Sequence, residues 1–245
     1  MTINNSILVN ELLNRVAAEA GLSPVADPWA DQSQHFLQMR YLLQTAGEEL
    51  TLAHDWEWQT RSHQILTQAL DTGNYDLPSD FVQMIDQTGW ERGENVPLMG
   101  PLSSQDWTYL IGRDLVSYTI YASFRIKEGK FSIFPQPPPS GLDINFEYQS
   151  NAWVSDGQPT PTLSETVTSG SETILFDRTL ISRYLKLKWL ESKGFDTSKP
   201  QDDFNLTFGS VTGKDKGAEI LSAGRNSRSF PYLDNRWNTP DTGYG

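Results

Sequence analysis

Few side chains in this sequence could hold a metal ion or act as nucleophiles. The chain has three histidines, His35, His54 and His63, and no cysteine. None of the histidines stands in a His-Glu-x-x-His motif or in a histidine–cysteine spacing of the kind that zinc sites use. The lack of cysteine also excludes disulfides, thiolate nucleophiles and iron–sulfur clusters. The sequence therefore predicts neither a metal site nor a cofactor.

The stretch Gly209-Ser210-Val211-Thr212-Gly213-Lys214 partly matches a phosphate-binding loop. Such loops place a serine or threonine directly after the lysine to bind magnesium, whereas Asp215 follows the lysine here. The glycines are too closely spaced, and no strand pattern precedes them. The nucleophile motif Gly-x-Ser-x-Gly is missing as well. We therefore expect no nucleotide site, and we predict that the protein is not an enzyme.

Carboxylates and tryptophans are concentrated around positions 48–58. Glycosidase chemistry needs two carboxylates held across a cleft, and spacing alone selects no such pair here. The run Trp56-Glu57-Trp58 allows two interpretations: a platform on which a sugar ring stacks, or rings that seal the junction between helices and a β domain. We favour the seal, because alternate residues at a helix-to-strand switch usually pack on the core.

Net charge and apolar content limit the partners. A formal charge of −12 argues against a nucleic-acid binder, since such binding depends on Lys and Arg neutralising phosphates. No stretch approaches the roughly 20 apolar residues of a membrane span, and the N-terminus has no secretion signal, so we expect a soluble protein with no membrane partner. Only 37% of the residues are hydrophobic, but eight Trp, nine Tyr and eleven Phe are present. Cores and interfaces must therefore rely on large aromatic rings.

Apolar residues recur at helical spacing in two regions, one towards each end of the chain. In the first region the spacing predicts a helix over 5–20 and a longer one over 32–54. In the second, a helix should begin at the N-cap Asp177 and stop at Gly194. A further helix should follow Pro200, although its glycines weaken it. We expect these helices to pack as an antiparallel bundle.

Between the two helical regions the apolar pattern alternates, as in short strands and turns. The run Asp71-Thr72-Gly73-Asn74 resembles a hairpin connection, and 77–81 resembles a turn that leads into a strand over 82–90. The clearest hairpin pairs 117–126 with 130–134 across Lys127-Glu128-Gly129. This region is expected to form a small β-sandwich or barrel-like domain.

Three further segments complete the middle of the chain. The run Ser103-Ser104-Gln105-Asp106 resembles a capping box that opens a short helix through Leu110. The segment 142–153 alternates as the last strand of the β domain. Serine, threonine, glycine and proline dominate 155–173, which we predict to be a linker or an exposed loop.

The sequence thus predicts an α+β fold in five parts. They are an N-terminal helical part (1–58), an inserted β domain (59–154), a linker (155–173), a C-terminal helical part that completes the bundle (174–221) and an extended arm (222–245). The apolar residues of the arm follow neither a helical nor an alternating repeat. A solvated tail rarely carries so many aromatic rings, so we predict that the arm becomes ordered when it binds a partner. Its predicted partner-binding residues are Arg225, Arg228, Phe230, Tyr232, Arg236 and Trp237.

Four segments carry a family resemblance: the helix over 34–58 with its Trp-Glu-Trp end, the turn at 75–81, the strand pair around 133–138, and the run 146–153. Their order resembles that of the head-to-tail adaptor, or connector, proteins of tailed bacteriophages, including the tail tubular protein A group. The resemblance spans most of the chain and rests on ordered features, since the family has no catalytic motif.

The resemblance implies a homo-oligomeric ring, of twelve copies, that joins the portal protein to a downstream tail or nozzle protein. The helical part and the arm would dock on the portal, and the β part would face the next tail component. DNA would pass transiently through the lumen, where an acidic wall would repel phosphate and let the genome slide. The protein would lie in the neck of the virion after assembly in the host cytoplasm.

The aromatic composition leaves one alternative open. A β module of a virion that binds carbohydrate or recognises a receptor would also use tryptophans and a turn-rich middle region.

Overall fold

The computed structural model describes residues 6–93, 95–112 and 123–215. Within them the protein has five α-helices and antiparallel sheets, which confirms the mixed helix-and-strand class. The helices are α1 Val9–Glu19, α2 Gln34–Ala53, α3 Ser104–Gly112, α4 Arg178–Ser192 and α5 Ser198–Asp215, with a 3-10 turn at Glu57–Gln59. The strands are β1 Ile7–Leu8, β2 Thr60–Leu66, β3 Asn74–Asp76, β4 Phe81–Met84, β5 Trp90–Glu91, β6 Val96–Pro97, β7 Ser123–Lys127, β8 Lys130–Phe134, β9 Asp143–Ser150, β10 Val154–Ser155, β11 Leu163–Ser164 and β12 Thr173–Ile174.

The N-terminal helices follow the predicted apolar spacing, with one shift. Helix α1 starts at Val9 and not at position 5, because Ile7 and Leu8 form β1 and pair with β12. The first two amide groups of α1 donate to the carbonyls of Glu172 and Gly170, at 3.0 and 3.1 Å. These loop carbonyls satisfy amides that a helix start leaves unpaired, so α1 needs no side-chain cap.

The C-terminal helices confirm their predicted signals. The carboxylate of Asp177 accepts hydrogen bonds from the amides of Thr179 and Leu180, at 2.8 and 3.1 Å, as an N-cap does. Gly194 has a φ of +73°, the left-handed conformation that ends helices. Helix α5 begins two residues before Pro200, which its first turn tolerates because the amide there has no helical partner.

The strands form three antiparallel sheets. Their orders are β1-β12-β10-β11, β2-β9-β5-β6 with β4 also paired to β9, and β3-β8-β7. Strand β9 is the centre of the second sheet, since β2 pairs along one side of it and β4 and β5 pair along the other. All three sheets therefore join segments that are distant in sequence.

Two strand predictions are wrong in detail. The run 71–74 connects β2 to β3, but these strands pair with β9 and β8 and not with each other, so it is no hairpin turn. The strand predicted over 82–90 is two short strands, β4 and β5. A turn divides them, in which Gln87 has a φ of +62° and the Thr88 hydroxyl donates to the carbonyl of Ile85 at 2.7 Å.

The hairpin prediction is confirmed where it can be compared. Strands β7 and β8 pair from Ser123↔Phe134 to Lys127↔Lys130, which leaves a two-residue turn. Both turn residues, Glu128 and Gly129, have positive φ angles of +54° and +72°, as a type I′ hairpin requires. The first part of the predicted strand, 117–122, lies outside the described residues.

The segment 155–173, predicted as a linker or an exposed loop, contributes to the first sheet. It contains β11 and the start of β12, and both pair with β10, so the chain forms further strands after β9. Strand β9 itself confirms the strand predicted within 142–153. Its backbone also holds the start of α1, as described above. Strands of two residues are too short to show an alternating pattern, and the composition of the segment is typical of a linker. The division into five parts stays a prediction.

Two hydrophobic cores support these elements. In the helical core, α4 packs against α1, α2 and α5, with Trp56, Trp153 and Phe176 buried among them. In the β core, the rings of Phe124, Phe131 and Phe146 stack in sequence, with centroids 4.9 and 5.2 Å apart. These phenylalanines come from β7, β8 and β9, so the stack joins the second and third sheets.

Candidate docking surfaces

The Trp56-Glu57-Trp58 run lies at the junction between α2 and β2, and both of its rings pack on the helical core. Trp56 is 1% exposed, and its indole Nε1 donates to the carbonyl of Leu50 at 2.8 Å. Its ring meets Phe176 edge to face, with centroids 5.6 Å apart, and Trp58 meets the same ring at 5.2 Å. The interpretation as a seal is confirmed, and a sugar cannot stack on the buried Trp56 ring.

Two buried amide side chains strengthen this junction. The Nε2 atom of Gln149, on β9, donates to the carbonyl of Trp56 at 3.1 Å. The Nε2 atom of Gln59 lies 3.4 Å from the carbonyl of Ala152 and 3.4 Å from the hydroxyl of Thr51 on α2. Because glutamine carries no periodic signal, sequence reasoning missed both residues.

The histidines are separated in the fold. His54 lies 3.3 Å from the carboxylate of Asp215, and His35 lies 3.2 Å from the hydroxyl of Ser33. His63 packs on Phe146, and this burial lowers its pKa, partly offset by the charge of Asp80. Among the described residues, no group of three or more His, Cys, Asp or Glu side chains could hold a metal ion.

The glycine-rich stretch 209–214 is helical. It lies inside α5, so the backbone amides that a phosphate-binding loop would present take part in a helix. A Cβ atom added at Gly209 or Gly213 would meet no heavy atom within 4 Å. These glycines thus lie on an open face of α5, and no phosphate cradle forms.

Asp80 fastens the predicted turn at 77–81 to the central strand β9. Its two carboxylate oxygens accept from the hydroxyls of Tyr148 and Ser150, at 3.0 and 2.6 Å. The amide of Asn151 donates to its backbone carbonyl at 3.0 Å. Burial, followed by the hydrogen bond to Asp80, raises the pKa of Tyr148 to about 12. The tyrosine therefore stays a neutral donor.

A second polar cluster joins α2 to α4. The ammonium of Lys188 lies 2.7 Å from one carboxylate oxygen of Glu49, and the hydroxyl of Tyr184 donates to the same carboxylate. Burial alone would raise the pKa of Glu49, but the hydrogen bonds from Lys188 and Tyr184 outweigh it and lower the pKa. Burial and the bond to Glu49 raise the pKa of Tyr184 to about 12.

Large apolar side chains remain exposed on both parts of the molecule. On α2, Tyr41 and Leu52 are 78% and 84% exposed and share one helix face. Tyr41 borders a groove of about 320 Å³ that is lined mainly by apolar atoms, including those of Trp29 and Val167. On the β part, Leu70 is 99% exposed. The apolar groove beside Tyr41 makes this face of α2 a candidate interface, whereas a single exposed side chain such as Leu70 is common on protein surfaces.

Two charged surfaces differ in sign. A groove between α1, α4 and α5, here called the basic groove, is lined by Arg15, Arg183, Lys186 and Lys199 together with Glu19 and Asp203. A cleft of about 370 Å³ beside the junction, here called the acidic cleft, is lined by Asp55, Glu57 and Asp86. Among the described lining residues of that cleft there is no lysine or arginine.

The predicted arm lies outside the described residues. Arg225, Arg228, Phe230, Tyr232, Arg236 and Trp237 all fall in 216–245, so their role stays a prediction.

Comparison with known families assigns the chain. A family model described as SU10 adaptor protein matches residues 8–180, which run from β1 through all three sheets into α4. The match covers more than half of the chain, and the protein belongs to this family. It is a bacteriophage adaptor, a structural component of the virion. No curated protein sequence matches it significantly. No described helix is long and apolar enough to cross a membrane.

Proposed function

We propose that the protein forms a ring that joins the phage portal to the tail and lines the passage for DNA. The observation that carries this proposal is the family match, which spans both the helical core and the β core. Following the resemblance to the tail tubular protein A group, the ring has twelve copies. It assembles in the host cytoplasm and occupies the neck of the virion.

The helical part and the β part are proposed to contact different partners. The helical part, in which we propose an antiparallel bundle, docks on the portal together with the arm. The β part, proposed as a small sandwich, faces the downstream tail or nozzle protein. The apolar groove beside the exposed Tyr41 supports a docking interface on the helical part.

The proposed role is mechanical and not catalytic. The charge of −12 supports a lumen that repels the DNA backbone, so that the genome slides through without sticking. A closed ring repeats each contact, so modest contacts between copies add up to a stable assembly.

Limited trypsin digestion of the arm, with and without purified portal, tests this proposal. Trypsin cleaves after arginine, so cuts after Arg225, Arg228 and Arg236 should be slowed when purified portal is added. Substituting Phe230, Tyr232 and Trp237 together by alanine should remove the protection, because buried aromatic anchors carry most interface energy. An exposed aromatic outside the arm, Tyr109, gives the matched control as Tyr109→Ala. Equal cleavage with and without portal would contradict docking through the arm.

The carbohydrate-binding alternative gains no support at the junction, because Trp56 is buried there.

A further inference from the structure

The basic groove is unusual for a chain with a formal charge of −12. Its lining holds four cationic side chains and two carboxylates, a local excess of two positive charges. Each carboxylate already has a cationic partner within the groove. Glu19 lies 3.4 Å from Arg15 and 3.1 Å from Lys186, while Asp203 lies 2.8 Å from Lys199 and its carbonyl accepts from Arg183 at 2.9 Å. The groove can therefore accept further negative charge.

The acidic cleft has the opposite property. Asp55, Glu57 and Asp86 are exposed, and Gln83 is the neighbour that bonds Asp55, at 3.5 Å. The carboxylate of Asp215 lies close by, since it accepts from the amide of Glu57 at 2.9 Å. The cleft thus has an excess of negative charge that a cationic partner would relieve.

The two surfaces lie at opposite ends of α5. Lys199 and Asp203 border the basic groove near the start of the helix, and Asp215, at its end, contacts Glu57 in the acidic cleft. Sixteen residues at ~1.5 Å per residue separate Lys199 from Asp215, a span of about 24 Å. One copy cannot bring its own groove and cleft together, but two copies can.

We propose that the basic groove of one copy receives the acidic cleft of the next copy, so that charge pairing forms the contact between subunits. Such a contact joins two different surfaces of the same chain, and a contact of that type forms a ring when the rotation between copies closes. The inference rests on the proposed ring and adds which faces meet. DNA is the other polyanion available to the groove, but an acidic chain repels it, and the complementary cleft is present on every copy.

Charge reversal on the full chain, assembled with purified portal, tests this contact. The groove variant combines Lys186→Glu with Lys199→Glu, and the cleft variant combines Asp55→Lys with Asp86→Lys. Mass photometry should show that each variant alone lowers the number of chains per portal by about tenfold, because like charges then face each other. A chain that carries all four substitutions should regain nearly the wild-type number, since the reversed surfaces match again.

Matched controls separate this contact from a general effect of charge or folding. Lys127→Glu with Lys130→Glu makes the same change in charge on the β7–β8 hairpin, where the lysines are 54% and 52% exposed, and should assemble normally. Recovery by the four-substitution chain would show that the reversed surfaces still fold.

The outcomes distinguish failure of the proposed function from failure of the contact between groove and cleft. If the wild-type chain does not assemble on the portal, the proposed function fails. If it assembles but the groove variant assembles equally well, only the pairing of groove and cleft is wrong. If the wild-type chain binds duplex DNA in a salt-sensitive way that the groove variant abolishes, the groove is a nucleic-acid site and the inference is overturned.

Discussion

At the scale of single residues, Asp80 fastens the turn at 77–81 to the central strand β9. It bonds two hydroxyls of β9 through its carboxylate, and Tyr148, one of the two donors, is 5% exposed. Asp80→Ala leaves both hydroxyls without this acceptor, so we expect a loss of about 2 kcal/mol in the free energy of unfolding. Urea denaturation measures this difference.

Asp76 provides the control for Asp80. Its carboxylate makes a surface ion pair with Lys130 and its side chain is 85% exposed, so Asp76→Ala should change stability by less than about 0.5 kcal/mol. Equal losses for the two substitutions would show that the Asp80 network does not hold the turn to β9.

The Glu49–Lys188 pair makes a prediction about pH. The pKa of Glu49 is lowered from its ordinary 4.5, so its stabilising effect is present above that value and is lost as pH falls through the folded-state pKa. Glu49 is 40% exposed, and screening by water limits the effect to about 1 kcal/mol. Glu49→Gln should therefore lower the Tm at pH 7, and the difference from wild type should shrink as the pH falls below about 4.

The adjacent Glu48 is the control for this pH effect. It accepts a hydrogen bond from Gln44 at 2.8 Å on an exposed face of α2, and Glu48→Gln should leave the Tm nearly unchanged at both pH values. A Glu49→Gln difference that stays constant from pH 7 to pH 3 would mean that the carboxylate charge contributes nothing.

At the scale of elements, α2 is held against the junction by a close approach at Gly47. A Cβ atom there would lie 2.2 Å from Cζ2 of Trp153, whose ring is 1% exposed and cannot move away easily. Alanine normally stabilises a helix interior by about 0.5–1 kcal/mol relative to glycine. The clash outweighs this gain, because overpacking a core costs about 1–3 kcal/mol.

We therefore predict opposite effects for two glycine substitutions in helices. Gly47→Ala should lower the Tm, whereas Gly209→Ala, on the open face of α5, should raise it slightly. Thermal unfolding followed by circular dichroism compares them. Stabilisation by both substitutions would show that Trp153 does not press against α2.

The elements also show what sequence can and cannot predict. The helices were predictable because their signals are local: a stripe of apolar residues, the Asp177 cap and the Gly194 stop. The hairpin β7–β8 was predictable for the same reason. Strands β10, β11 and β12 were not, because two-residue strands have no period and their pairing partners are set by the tertiary fold.

Some of the candidate surfaces could be predicted from the sequence and others could not. The seal by Trp56 could be inferred from its place at a helix-to-strand switch. The basic groove could not, since Arg15, Lys186 and Lys199 come from three helices and meet only after α1, α4 and α5 pack. The arm residues between 225 and 237 lie outside the described residues, and their role remains a prediction.

At the scale of the whole molecule, the protein combines two cores, a sealed junction and exposed apolar faces. Gln149 on β9 bonds the backbone of Trp56 just after the long helix and so ties the central strand of the second sheet to the helical core. These features agree with the proposal that the protein holds neighbouring proteins in register. Its family assignment as a phage adaptor agrees with this design.

The most direct test of the account is the mass of the complex that the chain forms with purified portal. Mass photometry, with negative-stain images of the same sample, should show a ring of twelve copies seated on the portal ring. A chain that remains a monomer in the presence of portal, at concentrations well above those of assembly in the cell, would contradict the account.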